Sequence, residues 1–161
     1  MRFHSRVYLI LAVLLGLALL VSLNGNPTAS EDECSRTAHM QIYSNAFFSK
    51  EAGDVVGYEL ALQEINGDAI DARLYIYQGE PKKDGISMSG QISGGKLTIK
   101  GSWVQHSIEY PSKKEIVETQ LVGVDGTLNS TQFRGTIKVE GLAAPITVKL
   151  KHVDHIWLCK R

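Results

Sequence analysis

The chain lacks the features that mark most functional classes. Lysine plus arginine and aspartate plus glutamate number 17 each in 161 residues, so the formal net charge is zero. Proteins that bind nucleic acid usually carry a positive excess, which is missing here. No Gly-x-Ser-x-Gly motif occurs, and Glu115 and Glu118 fall on opposite faces of one predicted strand. We therefore expect a non-enzymatic protein without a cofactor and without a nucleic-acid partner.

Cysteine is also scarce. Cys34 and Cys159 are the only two cysteines, and they bracket almost the whole chain after the N-terminal segment. A redox-catalytic pair normally lies close in sequence, as in Cys-x-x-Cys, so this chemistry is not indicated. In an oxidising compartment the two cysteines predict a disulfide bond, and two buried thiols are the alternative.

Long hydrophobic runs are limited to one, at residues 7–23. Arg2 and Arg6 precede it and the acidic residues 31–33 follow it, an order that predicts export with the N-terminus in the cytoplasm. Residues 1–23 are either a signal peptide or a retained membrane anchor, because the run is near the lower limit for a membrane span and no A-x-A site follows. The rest is expected to be extracytoplasmic, either periplasmic or secreted, or anchored with the domain outside.

Beyond a polar leader at residues 24–33, residues 34–161 are predicted to form one domain. Its apolar residues recur with a period of two, and no convincing amphipathic helix interrupts them. Asn66-Gly67 is the strongest short hairpin signal. The predicted strands cover residues 40–48, 56–62, 70–77, 86–92, 97–103, 116–124, 133–139 and 146–158. The fold class is therefore all-β, with about eight antiparallel strands in a meander.

Glycines inside the predicted strands favour a closed up-and-down barrel over the alternative, a β-sandwich. Glycine in a strand marks a bulge or tight coiling, which barrel closure needs repeatedly. These glycines are Gly57, Gly90, Gly101, Gly123 and Gly135. The barrel resembles the lipocalin and avidin folds in architecture only. The lipocalin signature Gly-x-Trp occurs as Gly101-Ser102-Trp103, but in the middle of the domain rather than on the first strand.

Two aromatic residues are the candidate ligand-binding residues. Tyr58 and Trp103 lie on apolar strand faces. They would line a cavity if the barrel is hollow, and would be core residues if it is filled. The first functional hypothesis is thus an exported binding module that holds a small apolar ligand.

A second hypothesis places the function on the outside of a solid barrel. Tyr75 and Tyr77 share the polar face of their strand with Arg73, a combination that is typical of interfaces. We expect Arg73, Tyr75 and Tyr77 to be an exposed surface that contacts another extracytoplasmic protein. The alternative is that these tyrosines form cross-strand pairs that only stabilise the sheet.

Two further motifs carry less weight. His152, Asp154 and His155 are close in sequence, but on a strand at most two of them share a face, while zinc needs three or four ligands. No metal site is predicted unless His39 or His106 joins them. Asn129-Ser130-Thr131 fits the N-glycosylation sequon in an exposed turn, which matters only in a eukaryotic source.

Overall fold

The computed structural model describes residues 29–78, 84–109 and 113–159. Residues 1–23, predicted to be the export segment, lie outside these ranges. Within the ranges, no helix has the length and apolar character needed to cross a membrane. The elements are helix α1 (Ala29–Thr37), strands β1 (Gln41–Ser44), β2 (Phe47–Ser49), β3 (Asp54–Asn66), β4 (Ala69–Gln78), β5 (Ile86–Ser93), β6 (Lys96–Glu109), β7 (Lys114–Leu128), β8 (Gln132–Val139) and β9 (Ile146–Val153), and a 3-10 helix (Trp157–Cys159).

The predicted all-β barrel is confirmed. Strands β3 to β9 form an antiparallel meander, and β1 closes it by pairing with both β9 and β3. Eight strands thus form the closed barrel, and β2 is an extra strand on β3. Closure removes most of the unpaired strand edges that a sandwich would leave, so the barrel is preferred over the β-sandwich.

Three details differ from the sequence prediction. Residues 29–33, expected in a polar leader, belong to α1, and the last strand ends at Val153 rather than at Leu158. The first predicted strand is split into β1 and β2 at Asn45. The split occurs opposite Gly57, whose φ of 122° favours glycine and where an added Cβ would lie 2.8 Å from the Asn45 carbonyl oxygen.

The barrel interior is filled by side chains. One residue in two along each strand points inward, and many of these side chains have 0–1% of their surface exposed. Such values leave no surface that water could reach from outside or from an internal void. The most deeply buried are Tyr43, Leu60, Leu74, Leu97, Ile99, Val122, Val124, Phe133, Ile137 and Leu150. An eight-stranded barrel has an interior just wide enough to be packed in this way.

A second apolar cluster lies outside the barrel wall. Helix α1 and residues 156–159 pack over the outer faces of β1, β3 and β4, and we call these two segments the terminal clasp. The buried members of this cluster are Ile42, Val55, Ala61, Tyr75, Tyr77 and Ile156. The predicted disulfide is confirmed, because Cys34 of α1 and Cys159 of the 3-10 helix are bonded.

Strands β6 and β7 extend beyond the barrel. Pairing with β5 ends at Gly101 and pairing with β8 ends at Val122. From Ser102 opposite Leu121 to Glu109 opposite Lys114, β6 and β7 pair with each other and with no other described strand. We call residues 102–109 and 114–121 the ribbon. It is a two-stranded projection from an otherwise closed barrel.

Candidate functional site

The two candidate ligand residues lie at the rim of the filled interior. Tyr58 and Trp103 are half-buried and pack against the edge of the interior cluster. Trp103 also lines an open cleft of about 560 Å³ together with residues 84–87. Tyr58 does not line this cleft, so the two aromatic residues do not share one pocket there.

The prediction of an exposed contact surface at Arg73, Tyr75 and Tyr77 is wrong. Their side chains do lie on the outer face of β4, as the alternation indicates. However, Tyr75 and Tyr77 are each only 2% exposed, and the side chain of Arg73 is 19% exposed. The terminal clasp covers them, and the sequence analysis did not place any element there.

Under the clasp, each tyrosine hydroxyl meets a buried carboxylate. Glu59 of β3 accepts hydrogen bonds from the Tyr77 hydroxyl at 2.6 Å and from Ser44 Oγ at 2.7 Å. Its two oxygens also accept the backbone N–H of Trp157, at 2.8 and 3.0 Å. Glu59 therefore joins strands β1, β3 and β4 to the C-terminal 3-10 helix.

The second carboxylate belongs to helix α1. Glu33 is 1% exposed and accepts a hydrogen bond from the Tyr75 hydroxyl. The guanidinium of Arg73 lies 3.1 Å from one of its oxygens, and Arg36 lies 2.9 Å from the other. Glu33 thus ties the N-terminal helix to β4 beside the disulfide.

Burial changes the acid–base behaviour of both tyrosines. Loss of solvent raises the pKa of Tyr75 well above its ordinary value of 10.0, and the adjacent Glu33 carboxylate raises it further. Burial likewise raises the pKa of Tyr77, with a further contribution from Glu59. Both phenols stay protonated and donate to the carboxylates. No buried side-chain nitrogen or oxygen in the described ranges lacks a hydrogen-bond partner. This network is closed to solvent and holds the clasp in place.

The ribbon, unlike the buried network under the clasp, exposes apolar side chains to solvent. On one face, which we call its outer face, Val104, Val117 and Leu121 are 47%, 56% and 63% exposed. The register places Val104 opposite Thr119, which lies between Val117 and Leu121 on β7, so Val104 is a diagonal neighbour of both across the two strands, and we call these three residues the apolar strip. Leu142, on the connection after β8, is also 56% exposed.

Polar groups and the cleft border this apolar strip. His106, opposite Val117, has its Nδ1 atom 2.8 Å from a carboxylate oxygen of Glu115. Ser102, Val104 and His106 also line the open cleft described above. The outer face of the ribbon therefore combines exposed aliphatic side chains, an imidazole–carboxylate pair and an adjoining recess.

The remaining sequence candidates have local structural roles. His152 packs edge-on against Tyr43, with ring centroids 5.6 Å apart. Among the residues with described positions, no three His, Cys, Asp or Glu side chains group as metal ligands would. Asn129 lies in the exposed turn as expected, and its Oδ1 accepts the backbone N–H groups of Thr131 and Gln132 at 2.9 Å each. This is an Asx-turn, which accounts for asparagine there.

Comparison with family models, curated proteins and solved structures finds no match to this chain.

Sequence reasoning missed both the buried carboxylates and the ribbon. A glutamate between two apolar neighbours, Tyr58 and Leu60, was the available signal for Glu59. For the ribbon, the apolar positions change phase between Trp103 and Val104, so the alternation gave no clear signal that the strand continues. The two strands were predicted to end at residue 103 and to resume at residue 116, so both were predicted too short.

Proposed function

We propose that this is an exported, non-enzymatic protein that binds another extracytoplasmic protein through the outer face of the ribbon. The observation that carries the proposal is the strip of Val104, Val117 and Leu121, exposed on a projection from a filled barrel. Contiguous exposed apolar surface on a soluble domain usually marks a contact site. Because about half of each side chain is already buried, its complete burial by a partner stabilises a complex by about 1 kcal/mol.

The architecture of the ribbon supports the same proposal. A two-stranded hairpin is marginally stable by itself in water. Here seven or more residues of each strand extend past the last pairs with β5 and β8. A partner packed on the outer face would supply a second layer of apolar contacts, which no described residue supplies there.

The filled interior favours protein contact over the first hypothesis, an apolar ligand held inside the barrel. A ligand in the middle would have to displace side chains such as Leu60, Phe133 and Leu150, which are 0% exposed. Support for a small ligand comes from open clefts on the surface, such as the one beside Trp103 and one of about 480 Å³ beside Ile70.

The disulfide supports the location. A bond between Cys34 and Cys159 is compatible with an oxidising compartment outside the cytoplasm. Together with the predicted export segment at residues 1–23, it leads us to place the domain in the periplasm, in the medium, or outside the cytoplasm on a membrane anchor formed by residues 1–23.

The test is site-specific photocrosslinking in the source organism. A photoreactive residue at Val117 should give a discrete crosslinked protein, and one at Thr147, exposed on β9 and outside the ribbon, should not. The purified partner should bind Leu121→Lys at least tenfold more weakly than the unmodified chain, about 1.4 kcal/mol. Leu121→Lys should change the stability of the fold by less than about 0.5 kcal/mol, because the side chain is exposed. Equal crosslinking at both positions, or none at Val117, would contradict the proposal.

A further inference from the structure

We infer that two copies of this chain associate through the free edge of β7, which pairs antiparallel with the same edge of the second copy about a two-fold axis at Ile116. The inference rests on the proposed function, since it also treats the ribbon as a protein-contact element. It adds a partner for the edge of the ribbon, whereas the outer face is left for the other protein.

The backbone groups along the edge of β7 in the ribbon are directed away from β6. The Leu121 carbonyl accepts the Glu140 N–H at 2.8 Å, and the Leu121 N–H donates to Glu140 Oε2 at 3.1 Å. Both groups of Leu121 therefore point away from β6. Because N–H and C=O directions alternate along an antiparallel strand, those of Thr119, Val117 and Glu115 point to the same edge. No described residue pairs with that edge beyond Leu121.

The charge pattern along this edge of β7 also favours the pairing. Lys114, Ile116 and Glu118 share the face of β7 that continues the barrel interior, because their positions alternate with those of the outer face. In a two-fold pairing about Ile116, Lys114 of each copy stands opposite Glu118 of the other, and Ile116 stands opposite itself. Opposite charges directly across a strand pair stabilise it. Lys114 has another contact within its own chain, but its ammonium has three N–H donors, so the two contacts are compatible.

The neighbouring registers are less favourable. A two-fold pairing about Val117 puts Glu118 opposite Ile116 and forms no charge pair. One about Glu118 puts two glutamates directly opposite each other, which is destabilising. The charge pattern therefore selects Ile116 as the centre.

The pairing would convert two ribbons into one four-stranded sheet. Three or more strands are needed for independent stability, so each ribbon gains support from the other. On the outer face, the two Val117 side chains become diagonal neighbours about 7–8 Å apart. In the dimer, Val117 of one copy stands opposite Glu115 of the other copy, whose carboxylate already contacts His106 of its own chain. The dimer thus presents a wider outer face, with an apolar strip from each copy.

Cysteine crosslinking tests the register directly in the full chain. In this register Ile116 forms a non-hydrogen-bonded pair with itself, with Cβ atoms about 4.5–5.5 Å apart, near the separation of a disulfide. Ile116→Cys should form a covalent dimer under mild oxidation, whereas Val117→Cys and Thr147→Cys should remain monomeric on the same timescale. A dimer formed equally well through position 117 or 147, or none through 116, would overturn the inference.

Exchanging the charges of Lys114 and Glu118 tests the same pairing without introducing a cysteine. Sedimentation should show a concentration-dependent dimer whose dissociation constant rises about tenfold in Lys114→Glu and in Glu118→Lys, because each change acts twice across the axis. The double variant restores both pairs with reversed sign, so it should return within about threefold of the unmodified chain. If the double variant dimerises no better than the single variants, the proposed pairing is wrong.

The two proposals fail separately. A chain that is monomeric at every concentration, but still crosslinks to a different protein from position 117, overturns the dimer and supports the proposed function. A dimer through position 116 with no second protein captured at position 117 supports the dimer and contradicts the proposed function. The mass of the crosslinked product separates a second copy from another protein.

Discussion

The terminal clasp and the ribbon differ in whether their polar groups and apolar side chains have partners within the chain. In the clasp, two carboxylates, two tyrosine hydroxyls and the backbone N–H of Trp157 are buried and bonded to one another, and a disulfide joins the covering segments. In the ribbon, aliphatic side chains are exposed and the outer edges of both strands lack a described partner strand. A complete network stabilises the chain itself, while incomplete surfaces are available to other molecules. The difference is why we place function on the ribbon.

The largest change in the free energy of unfolding should come from removing the disulfide. Replacing Cys34 and Cys159 together by serine should lower the free energy of unfolding by about 2–5 kcal/mol, because the bond closes a loop of 125 residues in the unfolded chain. Urea denaturation measures the loss, and reduction of the unmodified chain should reproduce it. Amide exchange should rise in the clasp and stay unchanged in the ribbon. A rise in both regions would show that they are coupled and would remove the contrast.

Glu59→Ala should have the next largest effect. Removing this carboxylate leaves the Tyr77 hydroxyl, Ser44 Oγ and the Trp157 N–H without their acceptor in a buried site. We expect a loss of about 3 kcal/mol in the free energy of unfolding. Glu64→Ala on the same strand, where the side chain is exposed, is the matched control and should change it by less than about 0.5 kcal/mol. Equal effects at both positions would mean that the network contributes little.

The smallest effect should appear just above pH 10.0. The folded chain holds the Tyr75 and Tyr77 protons above pH 10.0, where the unfolded chain releases them, since both pKa values are raised on folding. The stability due to these protons is therefore complete below pH 10.0 and is lost as the pH rises above it. Each tyrosine should contribute a slope of about 1.4 kcal/mol per pH unit there. Denaturation midpoints between about pH 9 and 11 measure the slope, and Tyr77→Phe should reduce it. An unchanged slope in the Tyr75→Phe, Tyr77→Phe double variant would contradict the assignment.

Much of the barrel could be predicted from local patterns. The period-two alternation around Leu60 and Leu74 indicates strands with one buried face, and Asn66-Gly67 indicates the turn between them. The two lone cysteines predict their own pairing once export is recognised. These signals are local or depend on very few residues, and they can therefore be recognised in a single sequence.

The site residues could not be predicted in the same way. Alternation correctly places Tyr75 and Tyr77 on the outward face, but their burial depends on segments from both ends of the chain. Helix α1 has a polar sequence, and its position is fixed by Glu33 and Cys34 through contacts with distant residues rather than by an apolar stripe. The length of the ribbon depends on pairing between residues 102–109 and 114–121, which the alternation within one strand does not report.

The disulfide also determines how the domain responds to mechanical force. A pull applied to residues before Cys34 and after Cys159 passes directly through the covalent bond between them. The strands of the barrel lie inside the closed loop and therefore bear none of this load. The fold is protected against tension between its two ends for as long as the bond remains oxidised, whereas a pull on the ribbon acts on the hydrogen bonds of the barrel itself.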